Sequence, residues 1–272
     1  MNIVISWLQL MLQKKTFYRH VLVLITGTSF AQSLAVIASP LLTRLYNPEE
    51  FGLLAVYISI LSIFVLFGSL QYENAIPLPK DNKVAANLLV LCFIILTGIC
   101  FLSCISLWIV KKQLLRLLHA RGLERYIWLL PFSLLGNGTY NILNYWVIRK
   151  KAFIQIATTK ISQSLGMIGT QIIVGLLKQG PLGLLLGDSI GRMGGSGRLT
   201  YLILREDRKV LSKVTSGGIR QAASRFKKFP LISSGSALLK ELSIQFPAVL
   251  LAVACGPQIV GWFMLVQRVL GM

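Results

Sequence analysis

The sequence predicts an all-α polytopic membrane protein, and three observations carry that prediction. Apolar runs long enough to cross a hydrocarbon core of about 30 Å, at roughly 1.5 Å per helical residue, recur along the chain. The 272 residues are 54% hydrophobic and only 14% charged, with mean hydropathy +0.69. A soluble domain of that composition would lack the polar surface to cover itself. The Lys and Arg residues behind the formal charge of +19 gather in short segments between apolar runs, as the positive-inside rule expects. That clustering argues against nucleic-acid binding as the reason for the charge.

The first element is a hairpin over residues 21–80. A span at 21–43 leads into a polar turn (Arg44, Asn47, Pro48, Glu49, Glu50) and a second span from residue 51 to about 76. Pro48 needs no N–H partner in the first helical turn, and the two carboxylates after it face the positive end of the helix dipole. Pro77 and Pro79 stop the second helix. The apolar stretch before this hairpin, residues 1–12, lacks the basic n-region and cleavage site of a signal peptide. It reads as an interfacial helix or a ragged start rather than a targeting signal.

A third span is expected at 84–110, then a basic segment (Lys111, Lys112, Arg116, Arg121, Arg125), amphipathic around 114–118, whose charges oppose the orientation count below unless it lies flat at the surface. A fourth runs 126–148 and stops at Arg149-Lys150-Lys151, and a fifth runs 154–177. The sixth, 182–204, is weakened by Gly187, Gly191, Gly194, Gly195 and Gly197. A long basic loop at 205–229 precedes the seventh span, 230–254. Gly256-Pro257 then turns the chain into an eighth helix, which it enters without completing a crossing. With the N-terminus inside, seventeen Lys and Arg (the group Lys14, Lys15 and Arg19 and also Lys160 among them) fall on the cytoplasmic side and seven on the other.

No hydrolase elbow, phosphate loop, dinucleotide fingerprint or metal-ligand spacing is present. No catalytic residue, metal or cofactor is therefore expected. The glycines of 191–197 lie in an apolar run with no strand before them, and read as helix-packing positions. Cys92, Cys100, Cys104 and Cys255 sit in or beside spans as small hydrophobes, with no disulfide expected. His20 and His119 are isolated.

The informative residues are polar groups inside spans, which normally face a bundle interior or a watery cavity. Asn137, Asn141 and Asn144 share a face of the fourth span, and Gln155, Thr159 and Ser162 a face of the fifth. Ser233, Ser236, Lys240 and Ser243 stripe the seventh, with Lys240 near its middle. Asp188 and Arg192, four apart in the sixth, are placed to pair. Stripes on three helices suggest a shared hydrophilic lumen, with interhelical hydrogen bonding the competing reading. Lys240, Arg192, Arg198, Arg44 and Arg268 outnumber Asp188, Glu73 and Glu241 in or near the spans. A lumen of that sign would attract an anion, phosphate above all.

Four stretches carry a family resemblance. Residues 40–52 (PLLTRLYNPEEFG), 72–80 (YENAIPLPK), 180–184 (GPLGL) with Asp188 and Arg192, and Gly256-Pro257 with Gly261 and 267–270 (QRVL) resemble bacterial polysaccharide flippases. These are the O-antigen and exopolysaccharide translocases, allied to MATE-type multidrug antiporters. The resemblance implies one six-helix lobe (21–204) after an N-terminal segment (1–20), a basic cytoplasmic linker (205–229) and the start of a second lobe (230–272). It implies a non-enzymatic, C-terminally truncated transporter of the inner membrane that flips undecaprenyl-diphosphate-linked oligosaccharides. Its partners would be that substrate, membrane lipid, other glycan-assembly proteins, and a second copy or a separate second half. Lys240, Arg192, Arg44 and Arg268 would hold the anionic head group. Glu73, Asp188 and the Asn, Gln, Thr and Ser stripes would gate or line the lumen. The alternatives are a cation-coupled drug antiporter of the same fold, a membrane glycan polymerase or ligase, and a non-transporting assembly partner.

Overall fold

The computed structural model describes residues 25–270, and among these every regular element is helical. The expected interfacial helix at 1–12, the basic group Lys14, Lys15 and Arg19, and His20 lie outside the described residues. The long helices are α1 (Ile25–Leu45), α2 (Pro48–Phe67) and α3 (Asn82–Leu117), then α4 (Leu129–Arg149) and α5 (Phe153–Leu176). The shorter α6 (Leu182–Met193), α7 (Ser196–Glu206), α8 (Arg208–Leu211) and α9 (Ser216–Arg225) precede α10 (Ser234–Cys255) and α11 (Pro257–Leu270). By length and hydropathy α1, α2, α3 and α10 with its preceding π-turn each suffice to cross a membrane. Helices α4 and α5, of 21 and 24 residues, are long enough too. Their lower hydropathy comes from polar faces turned toward other helices.

The α1–α2 hairpin is fastened at its tip. The Asn47 N–H donates to the Glu50 carboxylate at 2.8 Å, and Pro48 occupies the first helical position, as the sequence predicts. Tyr46, in the turn, donates its hydroxyl to the Gln171 carbonyl at 2.6 Å and so pins the hairpin to α5. Burial, with the Glu50 charge second, pushes its phenol up to about 12.

Three expectations are corrected. The second span ends at Phe67, and residues 72–75 form a separate 3-10 turn. The sixth span is broken: Gly194 ends α6 and Gly195, at φ +83°, redirects the chain into α7. A residue with a side chain is strained in that left-handed conformation, and glycine is not. The 12 residues of α6 reach only about 18 Å, short of a crossing. Finally, 205–229 folds into α8, α9 and their joints and lies against the bundle.

Asp207 provides the reason for that docking. Its carboxylate accepts from Trp146 Nε1 at 2.9 Å and pairs with Lys150 Nζ at 2.6 Å. Thr215 N donates to Asn87 Oδ1 at 3.3 Å, and Tyr72 donates to the Ala223 carbonyl at 3.1 Å. Arg149 gathers the 76–82 loop through the carbonyls of Ile76, Pro79 and Lys80 and the Asn82 side chain.

Glycines let two helix pairs approach closely. Gly183, Gly187 and Gly191 recur every fourth residue on α6, where a methyl would meet Tyr46, Gln171 and Met167 of its neighbours. Gly52 of α2 and Gly261 of α11 each abut the other helix's backbone, at the carbonyls of Pro257 and Pro48. Such spacing is how helices associate where apolar burial gives no preference for protein over lipid. The core runs between α2, α3 and α4, with Tyr57, Leu88 and Trp146 among its fully buried side chains.

Candidate functional site

Helices α1, α2, α4, α5, α6 and α10 wall a cavity of about 700 Å³. Each helix contributes residues at helical spacing: Thr28, Ala31, Gln32 and Ala35 from α1; Asn137, Tyr140 and Asn141 from α4; Lys160, Gln163, Ser164 and Met167 from α5; Asp188, Gly191 and Arg192 from α6. Ser62, Val65 and Leu66 come from α2 and Glu241 from α10, while Gln71 and Glu73 enter from the turn after α2. All belong to the same half of the bundle, toward the 68–81 and 150–152 turns. The lining mixes amides, hydroxyls and charges with a few small apolar side chains.

Two charged groups are paired within it. Arg192 Nε donates to Asp188 Oδ2 at 2.7 Å, with the carboxylate buried and the guanidinium a third exposed. Glu241 accepts from Gln245 Nε2 at 2.9 Å, and Gln245 bridges onward to Ser62 and Ser59 of α2. Lys160 differs: its ammonium stands over the Tyr140 ring, 5.1 Å from the centroid. No described carboxylate is within salt-bridge distance of it. Glu73 is buried beside Ser69, whose hydroxyl donates to its carboxylate. It lies on the turn outside the spanning helices, and burial pushes its carboxyl from the usual 4.5 up to about 7.

A buried hydroxyl cluster closes the cavity beyond Asp188. Tyr57 and Ser133 share a 2.6 Å hydrogen bond, Ser133 donates to Ser189 at 2.6 Å, and Ser189 donates to the Leu185 carbonyl at 2.7 Å. Through these three side chains α2, α4 and α6 are tied together away from lipid. Sequence reading missed this cluster, because single hydroxyls in apolar runs form no stripe.

The positions chosen from sequence divide sharply. Glu73, Asp188, Arg192, Asn137 and Asn141 line the cavity. Asn144 lies a turn further on and is half-buried, its Oδ1 without a hydrogen-bond partner among the described residues. On α5 the lining face is rotated from the chosen one. Thr159 instead bonds the Gln155 carbonyl at 2.7 Å and lies against Gly195, Gln155 is half-buried outside the lining, and Ser162 is exposed. On α10 the stripe points outward: Lys240, Ser236 and Ser243 are exposed, Ser233 is half-buried, and the neighbouring Glu241 faces inward. Arg44 is exposed near the α1–α2 turn, and half-buried Arg268 on α11 is outside the lining though within electrostatic reach of Asp188. Lys160, grouped with the cytoplasmic loop charges by span counting, is in the lining. Among the described residues the walls therefore carry three carboxylates (Glu73, Asp188, Glu241) and two cations (Lys160, Arg192), in place of the cationic balance expected from the sequence.

The family model described as polysaccharide biosynthesis protein matches residues 41–270. The chain belongs to this family. Comparison with curated proteins finds no match, and comparison with solved structures finds none either. The match covers every cavity-lining residue of this polysaccharide biosynthesis protein except the four on α1. Its helices and their hydropathy make the family member a multi-pass membrane protein.

Proposed function

We propose that this protein carries undecaprenyl-diphosphate-linked oligosaccharides across the bacterial inner membrane for surface polysaccharide synthesis, with its N-terminus in the cytoplasm and without catalysing a covalent step. The observation that carries the reading is the amide- and hydroxyl-lined cavity within a chain of the polysaccharide biosynthesis family. Asn137, Asn141, Gln32 and Gln163 are the side chains that hydrogen-bond sugar hydroxyls. Lys160, paired with no carboxylate among the described residues, and Arg192 are the groups for phosphate oxygens. The lipid tail stays in the bilayer while the head crosses.

One observation favours a second reading, a cation-coupled drug antiporter of the same fold: among the described lining residues the carboxylates outnumber the cations. The two are separated by expressing the chain in cells that lack their own translocase. Restored surface glycan, lost in the Lys160→Ala and Arg192→Ala variants at unchanged protein level, supports glycan transport. No surface glycan, together with proton- or sodium-driven efflux of an organic cation in proteoliposomes, would establish the antiporter instead.

A further inference from the structure

The segment between α7 and α10 concentrates charge on a surface the cavity does not use. Arg208, Lys209, Lys213, Arg220, Arg225 and Lys227 are all exposed. Asp207, the acid of this segment whose side chain is described, is buried and turned inward onto Trp146 and Lys150. The apolar residues interleaved with these cations (Val210, Leu211, Val214, Ile219, Phe226) are packed on the core. A loop serving only as a topology signal needs no such docking. Here the stems are fixed and the cations point away from the bundle.

The depth of the surface identifies what it faces. Thr215 at the N-cap of α9 bonds Asn87, and Gly218 abuts the same amide. Asn87 lies five residues into α3, about 8 Å along its axis, just past the polar start of that long apolar helix. Helix α9 is thus held level with the first turns of a membrane-crossing helix, where lipid headgroups lie. Asp81 on the adjoining loop is flanked by exposed Lys80 and Lys83, so the positive field continues there. Basic residues held at this level attract anionic lipid headgroups, within about a Debye length.

We propose that α8, α9 and their flanks form a docking surface for the anionic phospholipid headgroups of the adjoining leaflet. This goes beyond the transport reading and does not rest on it. The test uses the full chain in neutral detergent, titrated with phosphatidylglycerol or phosphatidylcholine. Thermal unfolding is followed, and retained lipid is counted by native mass spectrometry. Phosphatidylglycerol is expected to raise the unfolding temperature by several degrees and to remain bound, while phosphatidylcholine does neither. The shift should collapse at about 1 M salt, where the Debye length falls to about 3 Å. Changing the six cations to Gln should remove most of it, whereas Arg192→Ala in the cavity should leave it intact. The smaller variant Arg220→Gln, Arg225→Gln, Lys227→Gln serves if the larger one fails to fold. Equal responses to both lipids, or a Gln variant that responds like the parent, would overturn the proposal. So would an equal shift from free inorganic diphosphate, which would assign the surface to a soluble anion.

Discussion

Glu73 is the side chain through which pH acts on the cavity. Its carboxyl is raised toward neutrality mainly by burial, so the folded protein holds a proton there that the unfolded chain has already released. Between the ordinary carboxylate range and about 7 the native state therefore binds more protons, and stability falls as pH rises through that window. Unfolding temperatures measured at pH 5 and pH 7 should show this decline in the parent chain and a smaller one in Glu73→Gln. A parent profile no steeper than the variant's would refute the assignment. Asp188 and Arg192 behave as a unit. Asp188→Asn leaves the guanidinium without its carboxylate, but Arg192 keeps a third of its side chain in contact with the cavity. The expected loss is accordingly about 1–2 kcal/mol, below the 3–5 of a pair cut off from water. Chemical unfolding of the single and double variants measures it, and Asp188→Leu with Arg192→Leu should recover part of the loss.

Helix identity was far more legible from the sequence than helix rotation. The eight apolar runs are helical where described, with the second ending early and the sixth split in two, because length and hydropathy are properties of a stretch. A stripe, by contrast, is right or wrong by single residues, and one residue is about 100° of helix. Lys240 and Glu241 show the consequence: the stripe through Lys240 looked polar along its length, yet Glu241 and Gln245 contact α2 and the cavity. What decides between neighbouring faces is the partner helix, which composition does not reveal. The Asn137–Asn141 face and the Asp188–Arg192 pair were found because no rival polar face exists on those helices. A transport assay should separate the two α10 residues: Glu241→Gln reduces activity severalfold, and Lys240→Ala leaves it near the parent value. The α5–α6 contact is equally specific. Gly187→Leu would drive into Gln171 and the Met167 carbonyl. Overpacking of that kind costs about 1–3 kcal/mol or splays the helices, read as a lower unfolding temperature and faster proteolysis between α6 and α7.

At the scale of the molecule, the basic segment packs against α3 at one end of the bundle, and the proposed orientation puts that end in the cytoplasm. With α4 ending at Arg149 and α5 running back to Leu176, single cysteines at Lys151 and Lys178 in a cysteine-free background should react with an impermeant reagent from opposite faces of sealed vesicles. Lys151→Cys is expected on the cytoplasmic face, and reaction of both from one side would remove a span from the scheme. Helix α3 has a further consequence. Its 36 residues measure about 54 Å, and the apolar stretch at 84–110 alone about 40 Å, against a hydrocarbon core of about 30 Å. Such a rod meets a thin bilayer by leaning and a thick one by standing upright, keeping its ends in contact with water in either case. Hydrophobic mismatch at this helix is thus taken up by tilt, and the protein is built to tolerate bilayers of differing thickness without exposing the apolar flank of α3.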